Sequence, residues 1–186
     1  MADDKDLVES ARRIAEQLYA NHKGKLSGRL MIVHANCCAE MGRELANGLD
    51  VDALMIGGYL HDVGRTVSDD ENHTVEGAKI VERFFKEHNV DNGRLKDVVI
   101  DCTLNHGSKA KPTTKEGKLM QFIDKAALIN VKIMQVLLED FAKTATSEEA
   151  RANAKQKLEG WFKKLGENQK RVAQSHKECI AFIENY

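Results

Sequence analysis

"GGYLHDVGR", residues Gly57 to Arg65, ends an apolar segment that begins near Val51. It places an imidazole and a carboxylate, His61 and Asp62, side by side where the segment should be burying leucines. One explanation is a chance polar pair at the end of a helix. The other is that both side chains bind a metal ion, because imidazole nitrogen and carboxylate oxygen are common protein ligands of divalent metals.

Apolar residues recur at about the 3.6-residue period of an α-helix on both sides of this stretch. The pattern predicts a first helix with its apolar stripe at 7–18, a second over about 30–45, a third over 51–62, a fourth from 73, a fifth over 94–106, a sixth over 118–141, and helical structure from 146 onward. In the fourth helix, Val75 is predicted to face the protein core. Gly64 is predicted to cap the C-terminal end of the third helix. We find no convincing strand and no internal repeat. The sequence therefore predicts an all-α bundle.

The length of 186 residues suits one domain with an appended element. We expect a helical domain over residues 1–144, with its core at 28–130. Residues 145–186 are expected to form an additional C-terminal helical segment, which starts with a capping sequence at Thr146. This segment would pack on the domain or form a dimer surface, so a homodimer is possible.

Composition excludes several classes of function. The formal charge is −1, which gives no field to attract nucleic acid. No apolar run reaches membrane-spanning length, and the acidic N-terminus lacks a signal-peptide core, so we expect a cytoplasmic protein without membrane contact. The cysteines match neither a metal-binding pair nor a disulfide framework, which predicts small buried thiols in a reducing compartment. They are Cys37, Cys38, Cys102 and Cys179.

Further polar residues interrupt apolar faces or stand at helix ends. His34 and Asp124 lie on the apolar faces of the second and sixth predicted helices, while His73 begins the fourth and His106 ends the fifth. Each has a local explanation. A core histidine can be satisfied by a hydrogen bond, Asp62 can pair with the nearby arginine, and a terminal histidine can face solvent or the helix dipole.

A single hypothesis replaces these separate explanations. A buried, unpaired carboxylate costs on the order of several kcal/mol, so it requires a cation or strong donors nearby. If the helices converge, the side chains meet one divalent ion. The mixed nitrogen and oxygen ligands suit Fe, Mn, Zn, Co or Ni rather than Ca. Six candidates are enough for two ions bridged by Asp62: His34, His61, Asp62, His73, His106 and Asp124.

This spacing resembles the H…HD…D pattern of the HD-domain superfamily of metal-dependent phosphohydrolases, over about residues 30–130. The segments "HTVEGAKIV" and "LNHGS" resemble the second-ion segments of its two-metal members, and the layout is similar to the bacterial diadenosine tetraphosphate hydrolase branch. The flanks differ from that branch, so its substrate is not transferred.

The resemblance implies a helical fold around a metal and hydrolysis of a phosphate ester or anhydride by a metal-activated water. The substrate would be a nucleotide or a small phosphorylated metabolite. His34, His61, Asp62 and Asp124 would hold the first ion, while His73 and His106 would hold the second. For catalysis we single out Asp62, with Arg65 and Lys109 as cations for the phosphate; Lys111 is a further candidate.

Two other functions are weighed against hydrolysis. The protein could be a sensory or interaction module in which the metal is structural and the C-terminal helices bind a partner. It could also carry out oxygen chemistry at a di-iron site. Phosphate release, metal binding without turnover, and oxygen uptake separate the three.

Overall fold

The computed structural model describes residues 4–22, 24, 26–70, 72–90 and 93–186. Within these ranges the regular structure is helical, with no β-strand, which confirms the all-α prediction. The α-helices are α1 (Asp4–Ala20), α2 (Gly28–Leu45), α3 (Val51–Leu60), α4 (His73–Glu87), α5 (Gly93–Leu104), α6 (Lys115–Ala126), α7 (Val131–Phe141), α8 (Ser147–Lys164) and α9 (Ala173–Glu184). Short 3-10 helices lie at Val63–Thr66 and Gly166–Arg171.

The chain divides into two compact units, Met1–Asp124 and Lys125–Tyr186. The first unit carries α1 to α5 and most of α6, and the second carries α7, α8 and α9. The domain boundary at residue 144 stays a prediction. No helix in the described ranges is both long enough and apolar enough to cross a membrane.

Helix α3 is the centre of the first unit. It packs against α1, α2 and α5, and seven of its ten residues are buried. A helix that is apolar around its whole circumference is stable only when it is surrounded by other elements. Gly58 allows the closest approach, since a Cβ atom at this position would lie 2.6 Å from the backbone nitrogen of Ala39 on α2. This contact brings the end of α3 against the middle of α2.

The end of α3 differs from the prediction. The helix ends at Leu60 rather than Asp62, and His61 is its C-terminal cap. Gly64 is not a left-handed cap; it lies inside the 3-10 helix Val63–Thr66, which continues the chain toward α4. Asp62 leaves the helical conformation at φ −107° and ψ 6°, so the chain turns between α3 and the 3-10 helix.

Two further helix predictions are wrong. The long sixth helix is two helices, because Asn130 adopts an extended conformation and its side chain accepts a hydrogen bond from the amide of Lys132, which starts α7. Val75 does not face the core but is 45% exposed.

In the second unit, α7, α8 and α9 pack on one another. Thr146 starts α8 with a full capping box, which confirms the predicted helix start. Leu138, Ala154, Leu158 and Ile183 are among its buried side chains.

Candidate metal centre

The predicted ligands come from separate elements of the unit Met1–Asp124, and their side chains converge. They are His34 on α2, His61 and Asp62 after α3, His73 at the first position of α4, His106 after α5, and Asp124 on α6. His61 is completely buried, whereas His73 and Asp124 are partly exposed. The alternative in which each residue has only a local neighbour is therefore contradicted by the geometry.

The first group of ligand atoms joins His34, His61, Asp62 and Asp124 within 4.8 Å of one another. His34 Nε2 lies 3.3 Å from His61 Nε2 and 3.3 Å from Asp124 Oδ1. His61 Nε2 lies 3.6 Å from Asp124 Oδ1 and 3.7 Å from Asp62 Oδ2. Two imidazoles and two carboxylates thus face one small volume.

The second group joins Asp62, His73 and His106. The Nε2 atoms of the two histidines lie 3.3 Å apart, and each is 3.4 Å from Asp62 Oδ1. Asp62 therefore presents Oδ2 to the first group and Oδ1 to the second. This is the arrangement of a carboxylate that bridges two ions.

Hydrogen bonds to backbone carbonyls orient three of the imidazoles. His61 Nδ1 lies 2.9 Å from the carbonyl oxygen of Gly58, and His106 Nδ1 lies 2.7 Å from that of Thr103. His73 Nδ1 makes the same contact with the Asp70 carbonyl at 2.6 Å. A carbonyl only accepts, so each Nδ1 carries the hydrogen and donates it. In the neutral ring the lone pair is then on Nε2, which is the atom that faces the cluster.

The cluster is rich in electron pairs and short of positive charge. Arg65 supplies one fixed cation, and its Nε donates to Asp62 Oδ1 at 2.8 Å. Burial alone would raise the pKa of Asp62, but the neighbouring imidazoles, led by that of His61, hold that pKa well below its usual value. The imidazoles of His34 and His61 likewise outweigh burial and depress the pKa of Asp124. Both acids are therefore carboxylates at neutral pH.

These donors fit a divalent transition metal. Ligand atoms held about 2.1 Å from one ion lie about 3.0 Å apart in octahedral geometry and about 3.4 Å apart in tetrahedral geometry. The observed separations of 3.3–3.7 Å in the first group are close to these values. The second group, at 3.3–3.4 Å, is equally close. Mixed imidazole and carboxylate ligands favour Fe, Mn, Co, Ni or Zn.

Backbone packing positions the second group. A Cβ atom on Gly64 would lie 1.8 Å from the carbonyl oxygen of His73 and 2.4 Å from the amide nitrogen of Gly77. The 3-10 helix therefore lies directly against the first turns of α4. The glycine in "HTVEGAKIV" has a different neighbour, since a Cβ atom on Gly77 would lie 2.9 Å from Cγ2 of Thr103 on α5.

The segment between α5 and α6 borders the centre and is anchored at both ends. Gln121 Nε2 donates to the carbonyl oxygens of Gly107 at 2.6 Å and Ala110 at 3.3 Å. Buried Asp101 accepts hydrogen bonds from the amides of Thr113 and Thr114 and from the Thr114 hydroxyl group. Neither anchor is recognisable in the sequence, because each acts across at least eleven residues.

The two lysines of this segment, Lys109 and Lys111, are exposed on the surface. Neither belongs to the ligand groups described above, so a role for Lys109 in phosphate binding stays a prediction. Arg65, in contrast, contacts the bridging carboxylate. The local ion pair considered for Asp62 therefore exists together with the cluster.

Cys38 also lies at the centre, although the sequence predicted it only as a buried thiol. Its Sγ lies 3.7 Å from His34 Nε2, and a third possible ligand group consists of His34, Cys38 and His61. Burial, followed by the charge of Asp124, raises the pKa of this thiol well above its usual value. The signal was present, since Cys38 follows His34 by one helical turn on the same apolar face. None of the four cysteines forms a disulfide, and all four are buried, as predicted.

The helices of the first unit bring histidines and aspartates together in two groups that could hold metal ions. This combination is typical of helical metal-binding proteins. Residues 31–128 match the family model described as the HD domain, which covers more than half of the chain. The chain therefore belongs to the HD-domain superfamily of metal-dependent phosphohydrolases. Comparisons with curated proteins and with solved structures gave no match.

Proposed function

We propose that this protein hydrolyses a phosphate ester or anhydride of a nucleotide or small phosphorylated metabolite, using one or two divalent transition metals. One observation carries the proposal: the two oxygens of Asp62 face two different groups of imidazole nitrogens. A carboxylate shared in this way suits a reaction in which an attacking water and a phosphoryl oxygen are held side by side.

His34, His61, Asp62 and Asp124 would hold the first ion, and Asp62, His73 and His106 would hold the second. Such ions would lower the pKa of a bound water and would place positive charge opposite the phosphoryl oxygens. The residues of the chain do the rest of the positioning. The imidazoles that donate to backbone carbonyls keep their Nε2 lone pairs directed into the cluster. These side chains therefore need little reorganisation when metal ions bind.

Arg65 is the proposed phosphate clamp. Its Nε is bound to Asp62, and its side chain is 26% exposed, so the terminal nitrogens can donate to a phosphate oxygen next to the bridging carboxylate. Burial lowers the pKa of Arg65, but the charge and hydrogen bond of Asp62 outweigh this and raise it, so the guanidinium keeps its charge. Lys109 is proposed as a second cation that contacts more distant phosphates of the substrate.

The test uses the full chain, stripped of metal and reloaded separately with Mn²⁺, Co²⁺, Ni²⁺, Zn²⁺ or Fe²⁺. Phosphate release is measured from an aryl phosphate and from a panel of nucleotides. We expect turnover by the wild type and none by Asp62→Asn, with unchanged helical circular dichroism. Asp97→Asn is the matched control, since Asp97 is exposed on α5, and it should retain full activity.

Metal binding without turnover on any phosphate compound would overturn the proposal and favour a sensory module. Oxygen uptake by the iron-loaded protein without phosphate release would favour a di-iron oxygenase. We also propose a cytoplasmic location and a possible homodimer through residues 145–186. A sedimentation measurement checks the dimer.

A further inference from the structure

Tyr19 is a fully buried tyrosine of α1 that belongs to none of the ligand groups. Its hydroxyl group donates to the carbonyl oxygen of Tyr59 at 3.4 Å. Burial raises the pKa of this hydroxyl group, and the backbone of Asp62 acts against that shift, which places Asp62 next to the same phenol. A single phenol therefore bonds the last turn of α3 and lies beside the residue that completes the His61-Asp62 doublet.

The backbone at the end of α3 needs a hydrogen-bond partner from outside the helix. The last four carbonyls of a helix have no partner within the helix, and α3 ends at Leu60, so the Tyr59 carbonyl is one of them. Asp62 has already left the helical conformation. The nearby Gly58 carbonyl accepts from the ring of His61. Tyr19 satisfies the Tyr59 carbonyl, two residues before His61, and belongs to a different helix, α1.

We propose that Tyr19 is a positioning residue for the metal centre, whose hydroxyl group fixes the turn carrying His61 and Asp62. This inference rests on the proposed function, because it requires that the two groups bind metal. Metal–ligand distances tolerate only about 0.2 Å of error. Asp62 is shared by both groups, so a small shift of its backbone would weaken both at once.

Tyr59 provides a matched control on the other side of the same interface. It is also a buried tyrosine, and burial raises the pKa of its hydroxyl group. The charges that next affect this pKa are those of Arg12 and Glu40, and no metal ligand is among them. Tyr59→Phe therefore removes a similar hydroxyl group from the packing of α1 against α3 without changing the support of Asp62.

The experiment compares wild type, Tyr19→Phe and Tyr59→Phe as full chains stripped of metal, with Co²⁺ alone as the probe. Calorimetric titration should give about tenfold weaker Co²⁺ binding for Tyr19→Phe, the lower end of the usual loss when support for a ligand is removed. Tyr59→Phe should bind like wild type. The Co²⁺-induced rise in Tm should shrink in Tyr19→Phe only.

Equal Co²⁺ affinity in Tyr19→Phe and wild type, or equal losses in both variants, would overturn the inference while leaving the proposed function standing. A wild type that binds no Co²⁺ would overturn the proposed function itself. Hydrogen exchange on the wild type gives a measurement that needs no variant. The Asp62 amide should be protected although it lies outside α3, and exchange at the rate of an unprotected amide would refute the support of this turn by Tyr19.

Discussion

Replacing Gly64 by alanine should separate the two ligand groups. The new Cβ atom would lie 1.8 Å from the carbonyl oxygen of His73, whereas real Cβ contacts are essentially never below 3.0 Å. The backbone must therefore move by about 1.2 Å. Both neighbours, the His73 carbonyl and the Gly77 amide, are backbone atoms that cannot rotate out of the way.

The displacement exceeds by several times the roughly 0.2 Å that a metal–ligand bond tolerates. His73 begins α4 and moves with it, so the group formed by Asp62, His73 and His106 should lose its geometry. His34 and Asp124 lie on α2 and α6, away from this contact, and the first group should persist. Forcing a methyl group into such packing should also cost about 1–3 kcal/mol of unfolding free energy.

Metal stoichiometry is the assay. The wild type and Gly64→Ala are dialysed against the same Co²⁺ concentration, and metal per chain is measured by elemental analysis, with Tm by calorimetry. We expect Gly64→Ala to hold one ion fewer than wild type and to melt earlier. Gly160→Ala is the control, since nothing lies within 4 Å of a Cβ there, and it should gain about 0.5–1 kcal/mol of stability in the interior of α8. Unchanged stoichiometry and Tm in Gly64→Ala would refute the reasoning.

Two further changes test the packing around and beyond the centre. Burial would raise the pKa of Asp101, but hydrogen bonds led by those from Thr114 lower it. The ionised carboxylate therefore stabilises the fold above the unfolded-state pKa of about 3.9, and this stabilisation is lost as the pH falls through the lower pKa of the folded state. Urea titration should show Asp101→Asn less stable by about 1–3 kcal/mol at pH 7, with the difference narrowing below pH ~4; a constant difference would contradict this account. Thr146→Ala should cost about 1 kcal/mol through the lost cap of α8, measured by the same titration, and no loss would mean that the cap is dispensable.

The helical architecture was predictable because local periodicity determines it. The helix predictions were wrong where the apolar period continues across the boundary between two helices. Ala127 and Ile129 extend the apolar pattern of α6, so only the capping side chain of Asn130 marks the start of a new helix. On α4, Val75 fits the apolar period of that helix, yet its side chain is exposed.

The candidate site likewise contains residues that the sequence identifies and residues that it does not. Its ligands were identifiable because histidine and aspartate on an apolar face violate the local pattern, and the structure brings those side chains together. Residues that support the ligands carry no such signal. Tyr19 looks like an ordinary core aromatic, and Gln121 looks like an ordinary helix surface residue. Their roles depend on contacts between distant segments, which a single sequence does not reveal.

The direction of the hydrogens explains why this cluster favours a cation. His61, His73 and His106 each donate through Nδ1 to a backbone carbonyl, so in their neutral forms they turn lone pairs toward one another and toward Asp62. Two carboxylates and one guanidinium leave a net charge of about −1 in a volume from which water is largely excluded. Without a cation the lone pairs of His73 and His106, on Nε2 atoms that lie 3.3 Å apart, repel each other. Metal should therefore raise Tm, and a chelator should lower it, because binding removes this repulsion in the folded state alone.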